Sequence, residues 1–201
     1  MNRKHFLSVK YVAAAFVAGA LLSACGSSPA PMVPTQVSFA SSAVVNVDAT
    51  SVDVNFAGAP SRDYPHVGHR SPVSFQSAAK IWADKRFQLT GNTPSALRIT
   101  IKEGDLTEEL LPVKTGIGGA FKKEQSAKYE ATLEVELEIV DASGKVVASA
   151  SGKSWNTHTV PEDATETDKQ IVWAGMVKQA FDSLDQELIP RVYQGMRDYV
   201  R

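Results

Sequence analysis

The chain has 201 residues, with 21 Lys and Arg against 22 Asp and Glu, a formal net charge of −1. That balance excludes the basic surface that nucleic-acid binding requires. A single cysteine excludes an intramolecular disulfide, and the length suits one domain.

The N-terminus carries the first signal. Arg3, Lys4 and Lys10 form a basic start, and an apolar run follows from Tyr11 to Leu22. A dozen or so residues fall short of the ~20 that span a bilayer, which is the profile of a cleavable export signal. The run ends Leu22-Ser23-Ala24-Cys25, matching the lipobox of bacterial lipoproteins. Residues 1–24 are therefore read as a signal peptide and Cys25 as the acylated first residue, its thiol being the nucleophile that takes the lipid. One acyl chain holds a protein only marginally, whereas several hold it firmly. Gly26, rather than Asp, follows the cysteine, which places the anchor in the outer membrane with the domain facing the periplasm. The inner membrane is the alternative. Three prolines and the serines of residues 26–36 read as a flexible tether, 25–36, ahead of a single domain over 37–201.

Within that domain, the β-branched runs of residues 43–56 predict a strand or a pair of strands. A long loop follows over 57–72, containing His66-Val67-Gly68-His69. Ser71-Pro72 reads as a helix start. Phe75, Ala78, Ala79, Trp82 and Arg86 then fall at helical spacing, predicting a helix over about 73–89 that Gly91 ends. Leu97, Ile99 and Ile101 alternate as a half-buried strand. Residues 104–127 break the pattern and are expected to be a loop. Tyr129, Ala131, Leu133, Val135, Leu137 and Ile139 alternate with Glu130, Thr132, Glu134, Glu136 and Glu138, the clearest strand in the chain. Residues 141–144 supply a tight turn, and 145–155 return as its antiparallel partner. Thr165-Glu166-Thr167-Asp168 looks like a capped helix start. Trp173, Val177, Ala180, Phe181, Leu184 and Leu188 make the stripe of that helix, which Pro190 kinks or ends, and Tyr193 to Val200 suggest a second helical piece. The order predicts an α+β fold: a two-layer sandwich with a mainly antiparallel sheet and helices on one face.

Several constellations mimic chemistry. Ser77-Ala78-Ala79-Lys80, Lys114-Thr115-Gly116 and Ser154-Trp155-Asn156 imitate the motifs of penicillin-binding enzymes. Their order is wrong and their separations are too short for that fold. His66 and His69, with Asp63 nearby, fall short of the four ligands that zinc requires. Residues 116–119 lack the Gly-Lys-Ser/Thr of a phosphate loop. The row Glu134, Glu136, Glu138 reads as the solvated side of a strand, with an acidic binding face as the alternative. No catalytic set, metal site or cofactor emerges. The loop is the one feature the core does not explain. In it, Leu110, Ile117 and Phe121 are apolar, the glycines loosen the chain, and Lys122 and Lys123 suit anionic headgroups. They are the candidate contacts for a protein partner or lipid.

Lys128-Tyr129 at the start of the long strand, Val160-Pro161-Glu162-Asp163-Ala164 before the helix, and the loop ending Gly119-Ala120-Phe121 resemble a group of uncharacterised alphaproteobacterial lipoproteins. The likeness covers roughly residues 70–195. More loosely, a lipobox, tether and small α/β domain are similar to auxiliary lipoproteins of envelope ABC-type transporters, a likeness of architecture alone. Together these readings lead to a non-enzymatic envelope lipoprotein that binds a partner protein or lipid, attached to the membrane through Cys25, as an accessory of an envelope assembly or lipid-transport system. The alternatives are an anchored periplasmic hydrolase and a purely structural envelope protein.

Overall fold

The computed structural model describes residues 31–39, 43–112 and 124–201, and Met32–Arg201 form the folded unit. Its elements are β1 (Val45–Val47), β2 (Ser51–Phe56), α1 (Phe75–Arg86), β3 (Phe87–Leu89), β4 (Ala96–Leu110), β5 (Gln125–Val140), β6 (Val146–Pro161) and α2 (Glu166–Gly195). One four-stranded sheet has the order β2-β4-β5-β6, and β1 and β3 make a second, two-stranded one. β4, β5 and β6 run antiparallel, whereas β2 lies parallel to β4. Both helices cover the same face, α1 over β2 and β4, α2 over β5 and β6. The fold is the expected α+β sandwich.

The inward residues of β5, from Tyr129 through Ala131, Leu133, Val135 and Leu137 to Ile139, are all fully buried. Each large aliphatic side chain buried this way contributes about 1.5–3 kcal/mol. Trp82, Trp173, Phe181, Leu184 and Leu188 close the core from the helix side.

The expected loop at 104–127 is strand at both of its ends. β4 runs to Leu110 and β5 begins at Gln125. The cause is a β-bulge: Ile101 opposes Val135, but Glu103 opposes Glu134. The extra residue shifts the alternation by one, so inward positions pass from Leu97, Ile99 and Ile101 to Gly104 and Leu106. A strict period of two misses that change of phase. Gly104 is required there, because a Cβ would lie 3.0 Å from Phe75 Cβ and 3.1 Å from its Cγ.

Three other expectations need correction. The first helix starts at Phe75, since the Ser74 hydroxyl accepts the Ser77 N–H at 3.1 Å as N-cap. It ends at Arg86, because Phe87–Leu89 is drawn into parallel pairing with β1. Pro190 does not end the second helix, which continues to Gly195. Pro190 and Gln186 both lie on the exposed side of α2, where solvent can reach a carbonyl that Pro190 cannot serve. Finally, the expected helical piece is absent: Arg197 to Tyr199 form a turn, and Val200 bridges antiparallel to Val47. Asn46 and Arg201 exchange backbone bonds of 3.2 and 2.9 Å, and Asp48 N–H donates to the Tyr199 carbonyl at 2.7 Å. The start of α2 follows expectation, with a reciprocal capping box between Thr165 and Asp168.

α2 lies close under β6 because the inward residues of that strand are small: Ala148, Ala150, Gly152, Ser154 and Asn156. The Ser154 hydroxyl donates to the Ala180 carbonyl at 2.7 Å, and Asn156 Nδ2 to the Met176 carbonyl at 3.0 Å. Two strand residues rise about 6.6 Å and four helical residues about 6 Å. The partners therefore step in phase along the two elements.

Candidate functional site

The sequence-predicted contacts divide. Leu110, at the end of β4, is 66 % exposed. Ile117, Phe121, Lys122 and Lys123 lie outside the described residues, as does Cys25.

The enzyme-like fragments have structural uses. Ser77 Oγ donates to the Ser74 carbonyl at 2.9 Å within the first turn of α1. Ser154 and Asn156 serve α2, as described above, and Lys114-Thr115-Gly116 lies outside the described residues. His66 meets Asp105 rather than the neighbouring Asp63: its Nδ1 is bonded to Asp105 Oδ2. The other Asp105 oxygen accepts the Leu106 N–H at 2.8 Å. This pair fastens the 57–72 segment along β4 where β2 has ended, and no hydroxyl or thiol completes it among the described residues. Nor do three His, Cys, Asp or Glu side chains converge there as a metal site among those residues.

Cations meet the row of glutamates. Glu138 binds Arg98 at 2.8 Å, Glu136 binds Lys102 at 2.9 Å, and Lys153 lies between Glu103 and Glu134 at 2.8 and 3.5 Å. Hydrogen bonds donated to Glu136 and Glu103 hold the Lys102 and Lys153 ammonium groups above their ordinary pKa. The outer sheet face is thus a neutralised lattice.

At one end of the sandwich, the Tyr129 hydroxyl donates to Glu108 Oε1 at 2.7 Å, and burial pushes its pKa well above the usual tyrosine value. Tyr129 meets Trp173 edge-on, and the Arg70 guanidinium sits 4.9 Å over the Trp173 ring while gripping Glu166. Two buried atoms here, Asn156 Oδ1 and Trp173 Nε1, have no hydrogen-bond partner among the described residues. A hollow of about 380 Å³ beside Tyr64, walled by Thr107, Glu109, Lys128 and Glu130, opens to solvent on the outer face.

Sequence reasoning expected the return strand over 145–155 but missed its extension to Pro161 and the side chain that β6 turns outward. Trp155 stands on its outer side, 67 % exposed, opposite Thr132. Its strand neighbours on that face are Lys153 and Thr157. The clue was an inverted pattern, an aromatic residue between polar ones that face inward.

The backbone of β6 is also open along one edge. Val67 N–H donates to the Leu106 carbonyl and Glu108 N–H to the Pro65 carbonyl, so residues 106 and 108 face away from β5. Their β5 partners, Ala131 and Tyr129, accordingly face β6, and Asn156 and His158 opposite them face β5. By the alternation of an antiparallel ladder, the N–H and C=O groups of 153, 155, 157 and 159 point outward. No strand pairs with them among the described residues. On one side the run is closed: Arg191 donates to the Ser151 carbonyl at 3.0 Å, and Gly195 comes so near Ser149 that a Cβ would lie 2.6 Å from its carbonyl oxygen. Pro161, without an N–H, ends it on the other.

No family model matches this chain, and no curated protein does. Among solved structures it is similar to the rare lipoprotein B of Shewanella oneidensis, at 14 % identity over 69 % of this chain and 92 % of that one, TM-score 0.34. A minor lipoprotein of Acinetobacter baumannii matches at 13 % identity over 74 % and 94 %, TM-score 0.32. The PelC dodecamer of Paraburkholderia phytofirmans matches at 18 % identity over 67 % and 86 %, TM-score 0.23. At these scores the likeness transfers no residue role. No helix among the described residues is long and apolar enough to cross a membrane.

Proposed function

We propose that this chain is a non-enzymatic, lipid-anchored envelope lipoprotein whose folded domain binds a partner protein. The lipobox ending at Cys25 supports the anchor, and Gly26 after it supports the outer membrane. The observation that carries partner binding is Trp155, a large indole held in water on a polar, ion-paired face. Covering a large apolar side chain is worth about 2 kcal/mol, and Trp leads the residue types that dominate binding interfaces. The connection after Leu110 is a second contact region in this reading. Ile117 and Phe121 meet protein or acyl chains there, and Lys122 and Lys123 meet anionic headgroups.

The test is quantitative co-purification from detergent-solubilised membranes of wild type, Trp155→Ala and Gln186→Ala, the last on the exposed side of α2. A protein depleted by W155A and retained by Q186A supports the proposal. The same proteins recovered from all three would count against it. Cys25→Ser is expected to move the chain from the membrane to the soluble fraction.

A further inference from the structure

We infer that the outward edge of β6, residues 153–159, is a strand-addition site that takes an extended, uncharged segment of another protein as a fifth strand of the sheet. The inference rests on the partner-binding reading and specifies how the partner is held.

An exposed edge is a template for pairing, and proteins that keep it free guard it with prolines, bulges or outward charges. Among the described residues, the guards are missing here. The β5–β6 register shifts only near its ends, between Gln125 and Ala127 and between Ile139 and Val140, so the stretch itself is unbroken. It contains no proline. Its one charge, Lys153, is held over the sheet by Glu103 and Glu134 instead of standing off the edge. Edge protection is nevertheless present one turn away, where Arg191 and Gly195 close residues 149–151. The open run has a defined length, about seven residues or ~23 Å of extended chain. Main-chain bonds give affinity in such pairing, and side pockets give selectivity.

The occupant follows from charge and space. With Lys153 already paired, the edge offers no free charge, so a charged strand would lose water uncompensated. A β-branched or apolar side chain beside Trp155 and Thr157 gains cover. A second copy of this chain fits poorly. α2 lies beneath β6, and strands pair about 4.8 Å apart, which would press two such helices inside the 8–10 Å at which helices pack. The chain's own segment 26–36 carries three prolines and cannot donate regularly.

The experiment uses the full chain in isolated membranes. Thr157→Cys is the single free thiol once Cys25 is acylated, and it is labelled with a photo-reactive maleimide. Expected is an adduct with a different protein, reduced roughly tenfold by adding Thr159→Pro, which removes one outward N–H. An adduct of twice the chain mass, or one within the chain, overturns the partner strand. An adduct insensitive to T159P overturns strand addition while leaving partner binding intact. No adduct also overturns it, and the co-purification experiment then judges partner binding separately. Should T159P not fold, amide exchange of the wild type decides. Amides 155, 157 and 159 are protected in membranes and exposed after purification if the inference holds; equal exchange in both states overturns it.

Discussion

Asp185 holds the two helices together through charge, and its removal is the sharpest test of the core. Its Oδ1 accepts from Trp82 Nε1 at 2.9 Å and from Arg86 Nε at 3.1 Å, while Arg86 Nη2 pairs with Oδ2. Arg86 also donates to the Ala43 carbonyl, tying the segment before β1 to α1. The two charged side chains are only 7 % and 11 % exposed. Asp185→Ala therefore strands a guanidinium and an indole N–H inside the protein. Breaking a buried pair from one side costs about 3–5 kcal/mol, a large share of the ~5–15 kcal/mol that stabilises a domain. The double variant Arg86→Met, Asp185→Leu removes both charges and fills the space. What then remains is the orphaned Trp82 N–H, about 1–3 kcal/mol. Urea unfolding of the three proteins measures both quantities. A loss below about 1 kcal/mol for D185A, or a double variant no more stable than D185A, would refute this account of the pair.

Three further outcomes follow from the structure. Gly104→Ala should cost about 1–3 kcal/mol by forcing Phe75 from its place, and in a Phe75→Ala background, which lacks the clashing Cγ, it should shift the urea midpoint less. The capping-box bonds from Thr165 hold the Asp168 carboxyl below its ordinary value of 3.8. Its contribution is present above that pH and lost as pH falls through the lowered folded value, so Asp168→Asn should flatten the acid limb of the stability curve. Thr165→Ala should cost about 1 kcal/mol near neutrality. Tyr129 behaves in the opposite sense. Burial and the Glu108 bond raise its pKa, so its stabilisation is full below the unfolded value of 10.0 and lost as pH rises beyond it. Tyr129→Phe should weaken the alkaline loss seen in wild-type urea midpoints; an unchanged alkaline limb would show that Tyr129 is not its source.

Some of this was legible in order of residues alone. The expected export signal and the expected acylation at Cys25 are read from residue order and need no fold. The alternation of β5 and the stripe of α2 state their buried faces directly, because neighbours along one element set the period. The Thr165 and Asp168 cap is likewise local. The connection after Leu110 was marked as unusual, although its boundaries were set too wide.

The rest depended on contacts between distant segments. The bulge at Ile101 and Glu103 changes the phase of β4, and only the register against β5 reveals it. Phe87–Leu89 reads as helix until β1 competes for its backbone. Arg86 is buried because Asp185, far along the chain, answers its charge. Above all, β6 turns Ser154 and Asn156 inward and Trp155 outward, against the hydrophobic order. The carbonyls of α2 make that inversion favourable, since they accept the polar hydrogens within the core. Sequence thus determined a lipid-anchored α+β chain as an expectation, while tertiary structure decided which strand edge stands open and which aromatic residue waits beside it.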